Sequence, residues 1–252
     1  MVRPEGAAVG RRSRSWIALG AAGLAIALGC GGGTHGPHDG RRPASRGAAA
    51  LPKGAELTRD PANGTVRFLK GQDLSHDLDA DPAFKASRSA GDAEGVARAF
   101  VEHFGGLWRL DDVQTELVQH RIDVDRSGAC HVRFGQVWHG VPVAGAELVV
   151  HLDRERRVVV VSGSYVPTPR EVGTTPEIHA DAAREVAARE IGGEPCTACP
   201  VELVVFAEGG AAPRLAWRVA PATRRGDEVL VDATSGALLR RGRPPTAGHA
   251  AP

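Results

Sequence analysis

Between Glu116 and Val166 the chain alternates apolar and polar residues along four successive runs, joined by connections of only a few residues. The runs are Glu116 to Val124, Cys130 to Trp138, Val143 to Leu152 and Val158 to Val166. A period of two places successive side chains on opposite faces of an extended strand. Parallel neighbours would need crossovers of a dozen residues or more, so the short connections predict an antiparallel meander. Trp138-His139-Gly140-Val141-Pro142 reads as one of its turns and Asp153 to Arg156 as another. Leu148, Val150 and Leu152 fall on one face, and Val159 and Val161 are expected to join the same core.

Helical signals flank the meander. From Asp92 to Trp108, Val96, Phe100, Phe104 and Leu107 recur at helical spacing, Asp92 is placed to cap, and Gly105-Gly106 loosens the C-terminal end. The aromatic pair reads as core. Asp181 to Ile191 is a second helix, stopped by Gly192-Gly193 and followed by strands at Val201–Phe206, Arg214–Val219, Glu228–Val231 and Ala237–Arg240. The fold class is therefore α+β, with two units of helix on antiparallel sheet. Ahead of the first helix lie a short strand at Gly64–Leu69 and an acidic connector, DLSHDLDADP. Its Asp77, Asp79 and Asp81 have the odd spacing of a calcium loop. Pro82 stands where an EF-hand needs glycine and the closing glutamate is missing, so the connector reads as a solvated turn.

The N-terminus reads as an export signal. A basic segment precedes the apolar run Trp16 to Leu28, which is too short to span a membrane as a helix but long enough for a secretory signal. The run ends at Ala27-Leu28-Gly29-Cys30, similar to a bacterial lipobox, in which the cysteine is acylated after cleavage. An ordinary signal peptide with a nearby cysteine is the alternative. Residues 30–55, rich in Gly, Ala and Pro, read as a flexible tether, with His35 and His38 solvated within it. The chain thus divides into a signal peptide at 1–29, a tether at 30–55, folded segments at 56–168 and 169–240, and a disordered tail at 241–252. The localisation expected is an exported protein lipid-anchored to the bacterial cell envelope.

Charge excludes one class of partner. The leader takes four arginines and one glutamate from totals of 31 basic and 30 acidic residues, leaving a slight acidic excess. No basic stripe able to displace counterions from phosphates is visible, so no nucleic acid is expected. Of the remaining cysteines, Cys196 and Cys199 are placed to close a small disulfide in an exported protein. A redox pair or a zinc ligand pair are the other readings. Cys130, in a strand, reads as a small buried apolar residue.

The stretch from Val132 to Pro167 closely resembles the propeptide domain of fungalysin and thermolysin-type proteases. The likeness rests on Arg133, Phe134, Gln136, Trp138, Gly140, Pro142, Val143, Gly145, His151 and Asp153. GTVRFLKGQDLS resembles the start of that propeptide. HADAAREVAAREIGG with PRLAWRV and VLVDATSGALL resembles a PepSY-type unit, with His179 where Ser or Thr is usual, so that Asp181 is expected to cap. The resemblance spans roughly 60–240 and implies a cystatin-like propeptide unit followed by a PepSY-like one.

What is missing shapes the functional expectation. None of the ten histidines forms H-E-x-x-H, the helical pair that binds zinc in such proteases, and the segment after 240 leaves no room for a catalytic domain. No G-x-S-x-G elbow, P-loop or dinucleotide fingerprint is present. The expectation is a non-enzyme with no catalytic residue, cofactor or metal, His151 being structural or surface. The resemblance implies a module that binds, inhibits or helps fold a secreted zinc metalloprotease in trans, with Arg240 to Pro252 lying across its cleft as one option. The rival is an envelope lipoprotein that binds another cell-surface component.

Overall fold

The computed structural model describes residues 51–191, 196–220 and 227–242. Cys30, the signal segment, most of the tether and the tail beyond Gly242 lie outside these residues.

The chain is mostly sheet with few helices. β1 (Glu56–Arg59), β2 (Val66–Lys70), β3 (Leu117–Val124), β4 (Cys130–Trp138), β5 (Val141–Leu152) and β6 (Val158–Ser164) pair in the order β1-β2-β6-β5-β4-β3, every pair antiparallel. The chain order of the central strands is the meander expected from their short turns. β1 had no sequence signal, because its four residues are half-buried at most and carry no alternation.

Helices cover one face of this sheet. α1 (Pro82–Ser89) begins inside the acidic connector, where Asp81 accepts hydrogen bonds from the Ala83 and Phe84 amides and Pro82 takes the first helical position. The connector is thus a capped helix start, not only a solvated turn. α2 (Ala93–His103) starts at Asp92, which accepts from the Gly95 amide, and ends in a 3-10 turn at Gly105–Leu107. Val96, Phe100, Phe104 and Leu107 are all buried with Phe84, Trp108 and the inward residues of β4 to β6. A one-turn helix, α3 (Val113–Glu116), leads into β3.

One register detail departs from simple alternation. His151 pairs with Val160 but Leu152 pairs with Val158, so a bulge skips Val159. Val158 and Val161 reach the core, whereas Val159 is only half-buried. Nearby, Gly163 permits close strand approach, because a Cβ there would lie 2.1 Å from the Glu147 carbonyl oxygen.

α4 (Ala180–Glu190) packs against β8 (Arg214–Val219) and β9 (Glu228–Asp232), which pair with β7 (Val201–Phe206) and β10 (Leu238–Gly242) in the order β7-β8-β9-β10. The expected division into two helix-on-sheet units is not confirmed, because the strands of both join in one ten-stranded sheet. β5 continues past its partner β6 and pairs with β7 in parallel, Val143 facing Val205. Gly145, at φ +73°, lies where β5 passes from one neighbour to the other. Two boundaries also move. Pro52 is buried and Ala55 packs on the core, so residues 51–55 belong to the fold, as do Arg241 and Gly242 at the end of β10.

Candidate functional site

Two of the residues that the sequence singled out, Gln136 and Trp138, converge on one segment, the connector 166–172 that leads from β6 toward α4. Gln136, buried on β4, donates from Nε2 to the Val166 carbonyl at 2.7 Å and accepts from the Val166 amide at 3.2 Å. Trp138 donates from its indole to the Val172 carbonyl at 2.8 Å. Between them, the Thr168 hydroxyl reaches Glu116 at 2.8 Å, and the Thr168 amide donates to Arg109. Asn63 holds the other side, donating to the Tyr165 carbonyl at 2.7 Å. The C-terminal end of β4 supplies both Gln136 and Trp138 to the connector.

Glu116 was not singled out by sequence, yet it organises this junction. Its carboxylate accepts from the Asp111 and Asp112 amides as well as from Thr168. Burial raises its pKa above the ordinary value of 4.5, and these hydrogen bonds oppose the rise without cancelling it. The folded protein therefore holds this proton more tightly than the unfolded chain. Stability should fall as pH rises through the window just above 4.5, where the unfolded glutamate has ionised and the folded one resists. Glu116→Gln, whose amide oxygen can still accept from the backbone, is expected to flatten that decline. Urea unfolding of both proteins from pH 4 to 7 measures it; parallel curves would contradict the assignment.

Beside the connector lies an open cleft of about 510 Å³, lined among others by Asn63, Arg109, Tyr165, Thr168, Arg170 and Gly210. Arg109 sits in the left-handed region at φ +56° and donates to the Asn63 carbonyl, while Arg170 is tied to Asp111 by a two-pronged ion pair. Both arginines are thus committed to holding the walls together.

The remaining motif residues build the sheet itself. Phe134 is fully buried, with the Arg98 guanidinium over its ring. Arg133 spans Glu147 at 2.8 Å and Asp123 at 3.7 Å on the opposite face. Gly140 (φ +82°) makes the β4–β5 turn, and Pro142 faces Val137 across it. Asp153 closes the next turn by accepting from the Arg157 amide and pairing with its guanidinium at 2.6 Å. His151 meets His131, twenty residues earlier, with Nδ1 atoms 2.8 Å apart. No pattern along one strand could have announced that pair.

This arrangement is a sheet scaffold clamped to a connector, and part of the scaffold matches a known motif. Residues 115–165 match the Fungalysin/Thermolysin Propeptide Motif. The match runs from the last turn of α3 to the end of β6 and contains every motif residue named above. It covers a shorter stretch than the resemblance at 60–240 and leaves the PepSY-type reading outside it. The propeptide motif is a non-catalytic module associated in general with thermolysin-type proteases and is typically extracellular. Comparison with curated proteins gives no match. Among solved structures the chain is similar to the Bacillus megaterium YpeB C-terminal domain, at 12% identity over 76% of this chain and 83% of that one, with a TM-score of 0.34.

Three further expectations have definite positions beside the propeptide motif. Cys196 and Cys199 are joined in a disulfide whose sulfurs pack with Ala183, Ala187 and Val219 beneath α4, and Cys130 is free and buried. Asp181 does not cap α4: the capping position is His179, whose side chain makes no cap bond, and Asp181 pairs with Arg184 inside the first turn. In the acidic connector, Asp73, His76 and Asp79 come within reach of a common ion. Arg88 already lies there, 2.6 Å from Asp79 and 4.0 Å from Asp73, so a cation is supplied by the chain. Among the described residues no helix is long and apolar enough to cross a membrane.

Proposed function

We propose that this chain is a propeptide-like module, acylated at Cys30 and carried on the 30–55 segment, that binds a secreted thermolysin-type zinc protease in trans. The observation that carries the reading is the propeptide motif over β3 to β6, on a chain with no H-E-x-x-H of its own. Its PepSY-like second unit, 169–240, would stiffen the scaffold from the far side of β5.

The geometry offers a particular surface. Among the described residues β3 is an edge strand of eight residues paired with β4 alone, and Val118, Ile122 and Val124 are 44%, 40% and 63% exposed along it. An unpaired edge presents a row of backbone donors and acceptors to an extended segment of a partner, and its side chains add apolar contact. The protease is the occupant this reading assigns to it.

The test uses the mature chain purified with a thermolysin-type protease. Titration is expected to lower peptidase activity or raise the yield of active protease on refolding, and Ile122→Glu with Val124→Glu should weaken either effect at least tenfold. Unchanged activity together with unchanged refolding yield would overturn the proposal.

A further inference from the structure

His131 and His151 stand directly opposite each other in the register of β4 and β5. Their strand neighbours Val132 and Val150 are fully buried in the core, so the two imidazoles project from the other face of the sheet. The Nδ1 atoms are 2.8 Å apart and the ring planes cross at 75°. Each outer nitrogen meets an oxygen. Nε2 of His131 lies 3.6 Å from the Asp125 carboxylate, and Nε2 of His151 lies 3.3 Å from the Ser162 hydroxyl.

Two imidazole nitrogens this close hold a single proton between them, since two bare lone pairs or two N–H groups would repel. A metal ion can replace that proton. Borderline divalent metals favour imidazole nitrogen, and a metal-binding histidine characteristically gives its other N–H to a carboxylate or another oxygen, which fixes the tautomer and raises ligand basicity. Asp125 and Ser162 stand in those positions already. The surrounding charge is compatible with a cation: Asp123 faces His131 across β3–β4, and Arg133 beyond it is engaged by Asp123 and Glu147.

We propose that His131 and His151 form, through their Nδ1 atoms, a binding site for a borderline divalent transition-metal ion of the zinc or copper class, oriented by Asp125 and Ser162. Metal–nitrogen bonds of about 2.0–2.1 Å in tetrahedral geometry require the two nitrogens to stand ~3.3 Å apart. Side-chain rotation of about half an ångström supplies the difference. Water completes the coordination shell. The ion cross-links β4 to β5 in the middle of the propeptide motif, and it binds the folded chain alone, because only the register brings residues twenty apart together. This inference does not depend on the protease reading.

The experiment is calorimetric titration of the untagged mature chain with zinc chloride and, separately, copper chloride in a non-coordinating buffer at pH 7.5. Thermal melting is followed in parallel. The expected result is one site that His131→Ala and His151→Ala each weaken at least tenfold, that Asp125→Asn weakens about tenfold, and that His76→Ala leaves unchanged. Affinity should fall as the pH is lowered, because an imidazole must be unprotonated to ligate a metal. Should an alanine variant fail to fold, His131→Gln and His151→Gln provide the same comparison, and in the folded wild type the imidazole proton resonances of this pair should be the first to shift with zinc. Wild-type affinity in both substituted proteins, or no binding at ion concentrations up to about 100 μM, a weak limit for a two-imidazole site, overturns the proposal.

Discussion

Replacing Phe134 with alanine is expected to lower the unfolding free energy by about 3–5 kcal/mol, the range for removing a fully buried aromatic ring from a close-packed core. Phe134 is 0% exposed and lies at the centre of the first sheet, between Gln119 of β3 and Leu148 of β5. Its ring also supports the Arg98 guanidinium, 5.2 Å from the centroid, which donates to the Leu117 carbonyl at 3.2 Å and to Glu94 at 3.0 Å. The substitution therefore leaves a cavity and frees the side chain that ties α2 to the start of β3. Equilibrium urea unfolding measures the loss. A change below about 1 kcal/mol would mean that the site collapses around the smaller side chain, against the close packing described here.

Gln136→Leu is expected to cost about 2–3 kcal/mol by a different route. Leucine keeps most of the volume, so little cavity forms, but the Val166 amide and carbonyl both lose their partner in a half-buried site. The effect should be local as well as global. Amide exchange at Val166 and Thr168 should accelerate more than exchange in α2, because Gln136 fastens the connector and not the helix. Equal acceleration in both would show that the connector is held by Trp138 and Thr168 alone.

The two substitutions sit two residues apart on one strand and act on different parts of the molecule. Phe134 packs in the core that α2 covers, whereas Gln136, where the β4–β5 register shifts, bonds to the connector. The motif thus encodes both a core and a clasp. Its conformational residues complete the design: Gly140 and Gly145 occupy backbone angles that a residue with a Cβ adopts only under strain.

Much of this was legible in the amino-acid sequence. The four central strands were visible because each alternates with period two and one face is buried, and α2 and α4 because their apolar residues repeat every three or four positions. β1 and α3 carry no signal because four residues are too few to show a period, and α1 because Phe84 is its single buried residue. Val159 falls at a bulge, which is a property of two paired strands and leaves no mark in the alternation of one. The clasp was half visible: Gln136 and Trp138 stood out by family likeness, but Glu116 looked like any strand-initial glutamate until Thr168, fifty-two residues later, came into contact with it.

The sequence by itself determined the local content of this protein: which runs extend, which coil, and that no zinc-protease motif is present. The tertiary structure alone decided which distant residues meet. The parallel pairing of Val143 with Val205, the burial of Glu116 against Thr168 and the facing of His131 with His151 all join residues whose separation along the chain carries no periodic signal. The physical reason is that alternation and capping are set by a few neighbours, whereas strand register and burial are set by the packing of the whole sheet.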